Sequence, residues 1–272
     1  MDKRILNKVK TQTPLVHLIT NYVTANDCAN AVLAVGGSPV MADEILEVDE
    51  IVSLCSALVL NLGTLNQRTV NSMFAAGRKA NQLRKPVILD PVGVGATKFR
   101  TQIAKQLLEE IQFSVIKGNI SEMKALATGQ GSTRGVDAST HDLGKDLGQV
   151  IALAHSLWKD TESVIVISGA KDIITNGKRT HIIENGQSIM AQITGTGCML
   201  SSIIGGLVGA TPEQVFDSTV TATALMGVSG DLALEKLNEI GGGPNTYRSL
   251  LIDYLNKVDG ALLERRAKIE VR

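Results

Sequence analysis

Short apolar runs punctuate the chain: "PLVHLI" (14–19), "SALVLNLG" (56–63), "PVILD" (86–90), "FSVIK" (113–117) and "SVIVIS" (163–168). Each is rich in Val, Ile or Leu, and none alternates cleanly with polar residues. A strand with one wet face alternates, whereas a strand covered on both faces does not. The five runs therefore read as buried parallel strands. The segments 66–84, 99–110 and 142–160 between them read as helices. The rhythm changes after residue 168. "DIITNGKRTHIIENGQSIMAQIT" (172–194) carries turn signals between β-type runs, which predicts antiparallel hairpins. Its last run, "SIMAQIT", leads into Gly195-Thr196-Gly197. Helices are expected over 197–209, 212–238 and 244–257. The sum is an α/β fold of three layers: a mostly parallel central sheet with an antiparallel edge and helices on both faces. No linker, repeat or low-complexity stretch interrupts it, so residues 1–272 are expected to form one domain. The one long loop expected is "GQGSTRGVDAST" (129–140).

Composition narrows the function classes. Of 272 residues, 44% are hydrophobic and 20% charged, which supports a large core rather than a disordered chain. Lys+Arg and Asp+Glu both total 27, and aromatics are 3%. No basic footprint or stacking platform for nucleic acid follows, and no surface for an acidic membrane. Cys28, Cys55 and Cys198 are far apart and odd in number, so no disulfide framework or CxxC metal motif is visible. A reducing, cytoplasmic setting fits. "MDKRILNKVK" reads as a short amphipathic helix and not a signal peptide. The weakly polar run near 198–210 is too short to cross a bilayer.

The candidate chemistry lies where strands end, because open α/β sheets bind ligands beyond their carboxyl edges. There the sequence places Asn61, Gly63 and Thr64, Asp90 before "PVGVGAT", Lys117 and Asn119 with Glu122 one turn on, and Ser168 before Gly169. Singly, each has a bland reading as a turn former, helix cap or solvated charge. Together with the "GTGC" turn (195–198) they supply carboxylates, a cation, a hydroxyl and a nest of backbone N–H groups at a helix start. That inventory suits phosphoryl transfer with Mg²⁺. No G-x-x-x-x-G-K-[ST] occurs, and "GVGATK" lacks the third glycine of a dinucleotide fingerprint. His17, in an apolar strand, reads as a satisfied core histidine. Cys198 stands where the turn becomes the helix, a place expected to lower a thiol pKa and permit a proton-accepting thiolate. The alternative is a small residue beside an anion hole that does most of the work.

"HLITNYVTANDCANAVLAVGGSPVMADE" (17–44), "LVLNLGTL" (58–65), "PVILDPVGVGAT" (86–97), "VIKGNISE" (115–122), "VIVISG" (164–169) and "ITGTGCML" (193–200) occur in an order that resembles the hydroxyethylthiazole kinases. The resemblance implies a ribokinase-like fold and transfer of phosphate from ATP, with Mg²⁺, to the hydroxyethyl group of a methylthiazole alcohol in thiamine salvage. It also implies a homotrimer with substrate sites between subunits. Residue by residue, it implies that Met41, Gly195 and Asn21 bind the thiazole alcohol. Lys117, Ser168, Asp90 and Asn119 bind ATP, and Glu122 and Asp90 lie at the metal. Cys198 and Gly197 stand at the catalytic turn. Lys117 replaces a frequent Arg, which keeps the charge but loses the guanidinium fork. The rivals sharing this fold are hydroxymethylpyrimidine or pyridoxal kinases and an ATP-dependent NAD(P)H-hydrate dehydratase. "SPVM" and Cys198 speak against the kinases, and Cys198, where an aspartate is expected, against the dehydratase. A non-catalytic ligand-binding regulator is the remaining alternative.

Overall fold

The computed structural model describes residues 4–129 and 147–272. The predicted loop 129–140 and the first residues of the predicted helix 142–160 lie outside them, apart from Gly129. In chain order the elements are α1 (Arg4–Gln12), β1 (Leu15–Ile19), α2 (Ala25–Val35), β2 (Ser38–Val40), α3 (Val48–Leu54), β3 (Ala57–Asn61), α4 (Gln67–Gln82), β4 (Val87–Asp90), α5 (Lys98–Glu110), β5 (Val115–Asn119), α6 (Ile120–Thr128) and α7 (Leu147–Thr161). Then come β6 (Val164–Ser168), β7 (Asp172–Thr175), β8 (Thr180–Ile183), α8 (Thr196–Ala210), α9 (Val215–Ile240), α10 (Pro244–Lys257), α11 (Gly260–Arg266) and β9 (Ile269–Val271).

Among the described residues the sheet has nine strands in the order β2-β1-β3-β4-β5-β6-β7-β8-β9. The pairings from β2 through β6 are parallel, and those from β6 to β9 antiparallel. The core explains why the strands do not alternate in polarity. Val16, Val59, Ile88 and Val166 pack into one buried cluster with α8, α9 and α10, while their neighbours Leu58, Leu60, Leu89 and Ile165 pack into the other with α4 to α7. Both faces are dry, so both parities are apolar.

α8 lies flat on the first of these faces. A Cβ on Gly205 would stand 2.6 Å from Val59 Cγ2 and 3.1 Å from Val16 Cγ1, so glycine lets the helix axis approach β1 and β3. α10 is tied to α2 by the guanidinium of Arg248, which pairs with the buried carboxylate of Asp27.

Three expectations need correction. "SIMAQIT" is not a strand: Ser188–Gln192 form a short 3₁₀ helix. The strand beside β8 is instead β9, from residues 269–271. β2 and β9 were not anticipated. Each has three residues, and Pro39 in β2 is tolerated because β2 is an edge strand. The expected helix 212–238 is a 3₁₀ turn at Pro212–Gln214 followed by α9.

Candidate active site

Parallel register sets the site. Asn61 and Asp90 are paired positions at the ends of β3 and β4, and Asn119 and Ser168 are paired at the ends of β5 and β6. Asn21 follows β1 on the other side. The carboxyl edge therefore presents Asn21, Asn61, Asp90, Lys117 with Asn119, and Ser168 in that order across the sheet. The N-terminus of α8 comes down onto the middle of this row.

Gly195 starts α8 at φ +88°, a left-handed conformation, and a Cβ there would sit 2.4 Å from Thr24 Cγ2. Only glycine meets both demands. Met199 N–H is the first to close the helix, onto Gly195 O at 2.8 Å. No side chain caps it. Among the described residues, the N–H groups of Thr196, Gly197 and Cys198 are left as donors beside the positive end of the helix dipole, which makes an anion cradle.

Beneath the cradle lies a buried polar cluster. Lys117 Nζ donates to Gly197 O at 3.1 Å and stands 3.6 Å from Asp90 Oδ1, an ion pair too long to be a hydrogen bond. Asp90 Oδ2 accepts from Ser201 Oγ at 2.8 Å and Asn61 Nδ2 at 2.9 Å, whereas Oδ1 has no hydrogen-bond partner among the described residues. Burial drives Asp90 upward and opposes the charge on Lys117. The carboxylates of Asp90 and Glu122 facing Lys117 more than offset that burial, and the ammonium stays charged.

Cys198 departs from expectation. Its thiol is pushed up, not down, to about 11. Burial is the main cause and the nearby Asp90 adds to it, while Lys117 lowers it by less. Desolvation outweighs the helix terminus. Cys198 Sγ receives N–H groups from Asn61 at 3.3 Å and Asn21 at 3.4 Å.

The remaining expected residues differ in how they meet the cluster. Asn21 reaches the cluster, but its carboxamide is engaged within the protein: Nδ2 donates to Asn61 Oδ1 and Cys198 Sγ, and Oδ1 accepts from Thr24 N and Oγ1. It braces the cradle. Glu122 and Asn119 form a reciprocal capping box at the start of α6, and Glu122 Oε1 also accepts from Gly93 N at 2.9 Å. Glu122 thus clamps the "DPVGVG" loop, and burial, then the charge of Asp90, pushes its pKa to about 7. Ser168 is half-buried at the next strand end, its hydroxyl 3.4 Å from Gly118 O. Met41, just beyond β2, is exposed at the edge of the row and does not enter the cluster of its own chain.

Four further side chains, to which the sequence assigns no role in the site, stand in or beside it. Ser201 lies one turn along α8 from Gly197, and that helical spacing was the available signal. Asn61 was visible as a strand end but not as a hub. His17 is buried as expected, with Nε2 2.7 Å from Ala42 O, yet its Nδ1 has no hydrogen-bond partner among the described residues. It pins the backbone immediately after Met41. Asp172, beside the Ser168 turn, accepts from Gly169 N, and burial raises it to about 6.

With this geometry in place, likeness to known proteins is informative. The family model described as "Hydroxyethylthiazole kinase family" matches residues 6–260. A hydroxyethylthiazole kinase of Clostridium tetani is 51% identical over 270 residues, 98% of this chain and 97% of that protein. The solved hydroxyethylthiazole kinase of Pyrococcus horikoshii OT3 superposes with a TM-score of 0.85 at 33% identity, covering 99% of this chain and 98% of that one. The pyridoxal kinase of Staphylococcus aureus, solved with ADP, gives 0.64 at 13% identity over 95% of this chain and 97% of its own, a likeness of fold alone.

Proposed function

The chain belongs to the hydroxyethylthiazole kinase family, with the ribokinase-like fold, and from that premise we propose how its residues carry the reaction. The enzyme is a kinase that transfers the γ-phosphoryl group of ATP to the primary hydroxyl of 4-methyl-5-(2-hydroxyethyl)thiazole, a step of thiamine salvage. The hydroxyl oxygen bonds to the γ-phosphorus, the bond to the ADP oxygen breaks, and the hydroxyl proton is released. The observation that carries the assignment of the site is the uncapped start of α8 over Asp90 and Lys117. The N–H groups of Thr196, Gly197 and Cys198 receive the γ-phosphate oxygens, and Lys117 supplies the neighbouring positive charge. The nucleotide extends toward Asn119 and Ser168, and the acceptor lies toward Gly195 and Met41.

Among the described residues no three His, Cys, Asp or Glu side chains converge on one point. The described residues thus offer no ready-made cage of such side chains. One buried carboxylate oxygen, Asp90 Oδ1, has no hydrogen-bond partner among the described residues, and Glu122 is close enough to Asp90 to feel its charge. Such a donor set fits Mg²⁺ carried in by phosphates, with Asp90 and Glu122 as the protein's contribution. When bound, the ion neutralises charge on the phosphate oxygens. Cys198, protonated near neutral pH, is not the base; in a loose transition state the alcohol becomes acidic late and a strong base adds little.

Tyr22, Val23, Met41, Ile45 and Leu46 are exposed around the acceptor end. This apolar surface supports a homotrimer in which a second copy covers Met41 and completes the acceptor pocket. The absence of a helix long and apolar enough to cross a membrane, among the described residues, is compatible with the proposed cytoplasmic setting.

The test is ADP release with hydroxyethylthiazole, hydroxymethylpyrimidine and pyridoxal, with and without Mg²⁺. Turnover is expected with the thiazole and only with the metal. Preference for either other alcohol would overturn the substrate assignment.

A further inference from the structure

We infer that Asn61, which the proposed mechanism leaves without a role, is a positioning residue for the transfer: its carboxamide decides which atoms of Asp90 and Cys198 face the phosphate. The inference rests on the kinase reading above. Asn61 is 1% exposed. A primary amide offers two N–H donors and two lone pairs, and all four are used here. One N–H goes to Asp90 Oδ2 at 2.9 Å and the other to Cys198 Sγ at 3.3 Å. Oδ1 accepts from Asn21 Nδ2 at 3.0 Å and from Gly63 N at 2.9 Å. Turned over, the amide would set its oxygen against a carboxylate and its NH₂ against two donors. The network therefore permits one orientation.

Two consequences reach the side chains beneath the phosphate cradle. Asn61 and Ser201 both donate to Oδ2 of Asp90, so the carboxylate is tied on one side and keeps Oδ1 for the Lys117 side of the site. The amides of Asn61 and Asn21 both donate to Cys198 Sγ, so the sulfur is held as an acceptor and its own S–H must point elsewhere. A merely structural asparagine would need only the bond from Gly63 N, which closes a local turn. The two Nδ2 contacts do nothing for that turn, and they are the ones that meet Asp90 and Cys198.

The experiment uses the full chain and three variants, Asn61→Asp, Asn61→Ala and Ser201→Ala, with folding checked by thermal melt. Asn61→Asp puts an acceptor where Asp90 needs a donor. Its kcat is expected to fall on the order of 10- to 100-fold, the usual cost of losing an orienting partner behind a reacting group, while KM for ATP and for the thiazole moves less than about threefold. Ser201→Ala removes the other donor to the same oxygen in a residue that suits a helix, and should show the same split with a smaller loss. It keeps the question open to test if the Asn61 variants do not fold. A second readout does not need turnover: the S–H stretch of Cys198 in the Raman spectrum, assigned by difference from Cys198→Ala, should shift in Asn61→Ala. Folded Asn61 variants with unchanged kcat, a loss found entirely in KM, or an unmoved S–H band would each overturn the inference. If the Asn61 variants are unfolded, unchanged kcat in Ser201→Ala overturns it. Failure of the wild-type chain to phosphorylate hydroxyethylthiazole would instead overturn the kinase reading, and the S–H band would still report on Asn61.

Discussion

A thiol at the head of a helix ordinarily ionises more readily, because the dipole favours the anion. At Cys198 that contribution is worth less than the cost of a buried anion beside Asp90, and the pKa lies near 11. A base of that pKa is protonated at neutral pH, so removing it should matter little. Cys198→Ala is expected to keep kcat within about tenfold of wild type, with a pH–rate profile that overlays the wild-type curve from about pH 7.5 to 9.5. A rising alkaline limb present only in the wild type would restore the thiolate as base. Lys117 is the opposite case, a buried charge whose partners are Gly197 O and Asp90. Lys117→Ala should raise KM for ATP, because a charge-assisted phosphate contact of about 1.5–3 kcal/mol is lost. Unchanged ATP kinetics would remove Lys117 from the nucleotide site.

α8 carries the cradle at one end and the sheet contact along its length, so its seating sets the height of the cradle above Asp90. Gly205 and Gly206 are neighbours in it with opposite surroundings. An added Cβ meets Val59 and Val16 at 2.6 and 3.1 Å in the first case, and only Val35 Cγ2, at 3.7 Å, in the second. Both substitutions to alanine gain roughly 1 kcal/mol of helix propensity. At Gly205 that gain competes with overpacking of about 1–3 kcal/mol against two buried, branched side chains. Urea unfolding should therefore show Gly205→Ala destabilised and Gly206→Ala unchanged or stabilised. The reverse order would mean that α8 does not sit on β1 and β3 as described.

For the whole molecule, the proposed acceptor end carries strongly exposed apolar side chains. Leu46 is 87% and Tyr22 81% exposed, beside a half-exposed Met41. Water-facing apolar groups at a ligand pocket are what a subunit interface would cover. Leu46→Asp is expected to dissociate the proposed trimer in light scattering and to raise KM for the thiazole, with the thermal melt of the monomer retained. A variant that stays trimeric, or a monomer with full activity, would separate assembly from the acceptor site.

Much is legible in the sequence itself. Runs such as "VILD" and "VIVIS" read as buried strands because burial on both faces removes polar alternation. Asp90, Lys117 and Ser168 read as site residues because strand ends in such a sheet share one edge, and Gly195-Thr196-Gly197 read as an anion turn because only glycine makes that backbone. These are local signals, fixed by neighbours in sequence. What the sequence left open depends on distant neighbours. The place beside β8 is filled by β9, from near residue 270, and "SIMAQ" forms a 3₁₀ helix instead of the expected strand. The Cys198 thiol is neutral because α8 buries it beside Asp90, a desolvation that no run of residues encodes. Asn21, Asn61 and Ser201 are brought together from three elements, and each looks alone like a cap, a turn or a small helical residue. Their hydrogen bonds, and hence the orientation of Asp90, exist only once α8 rests on the strand ends.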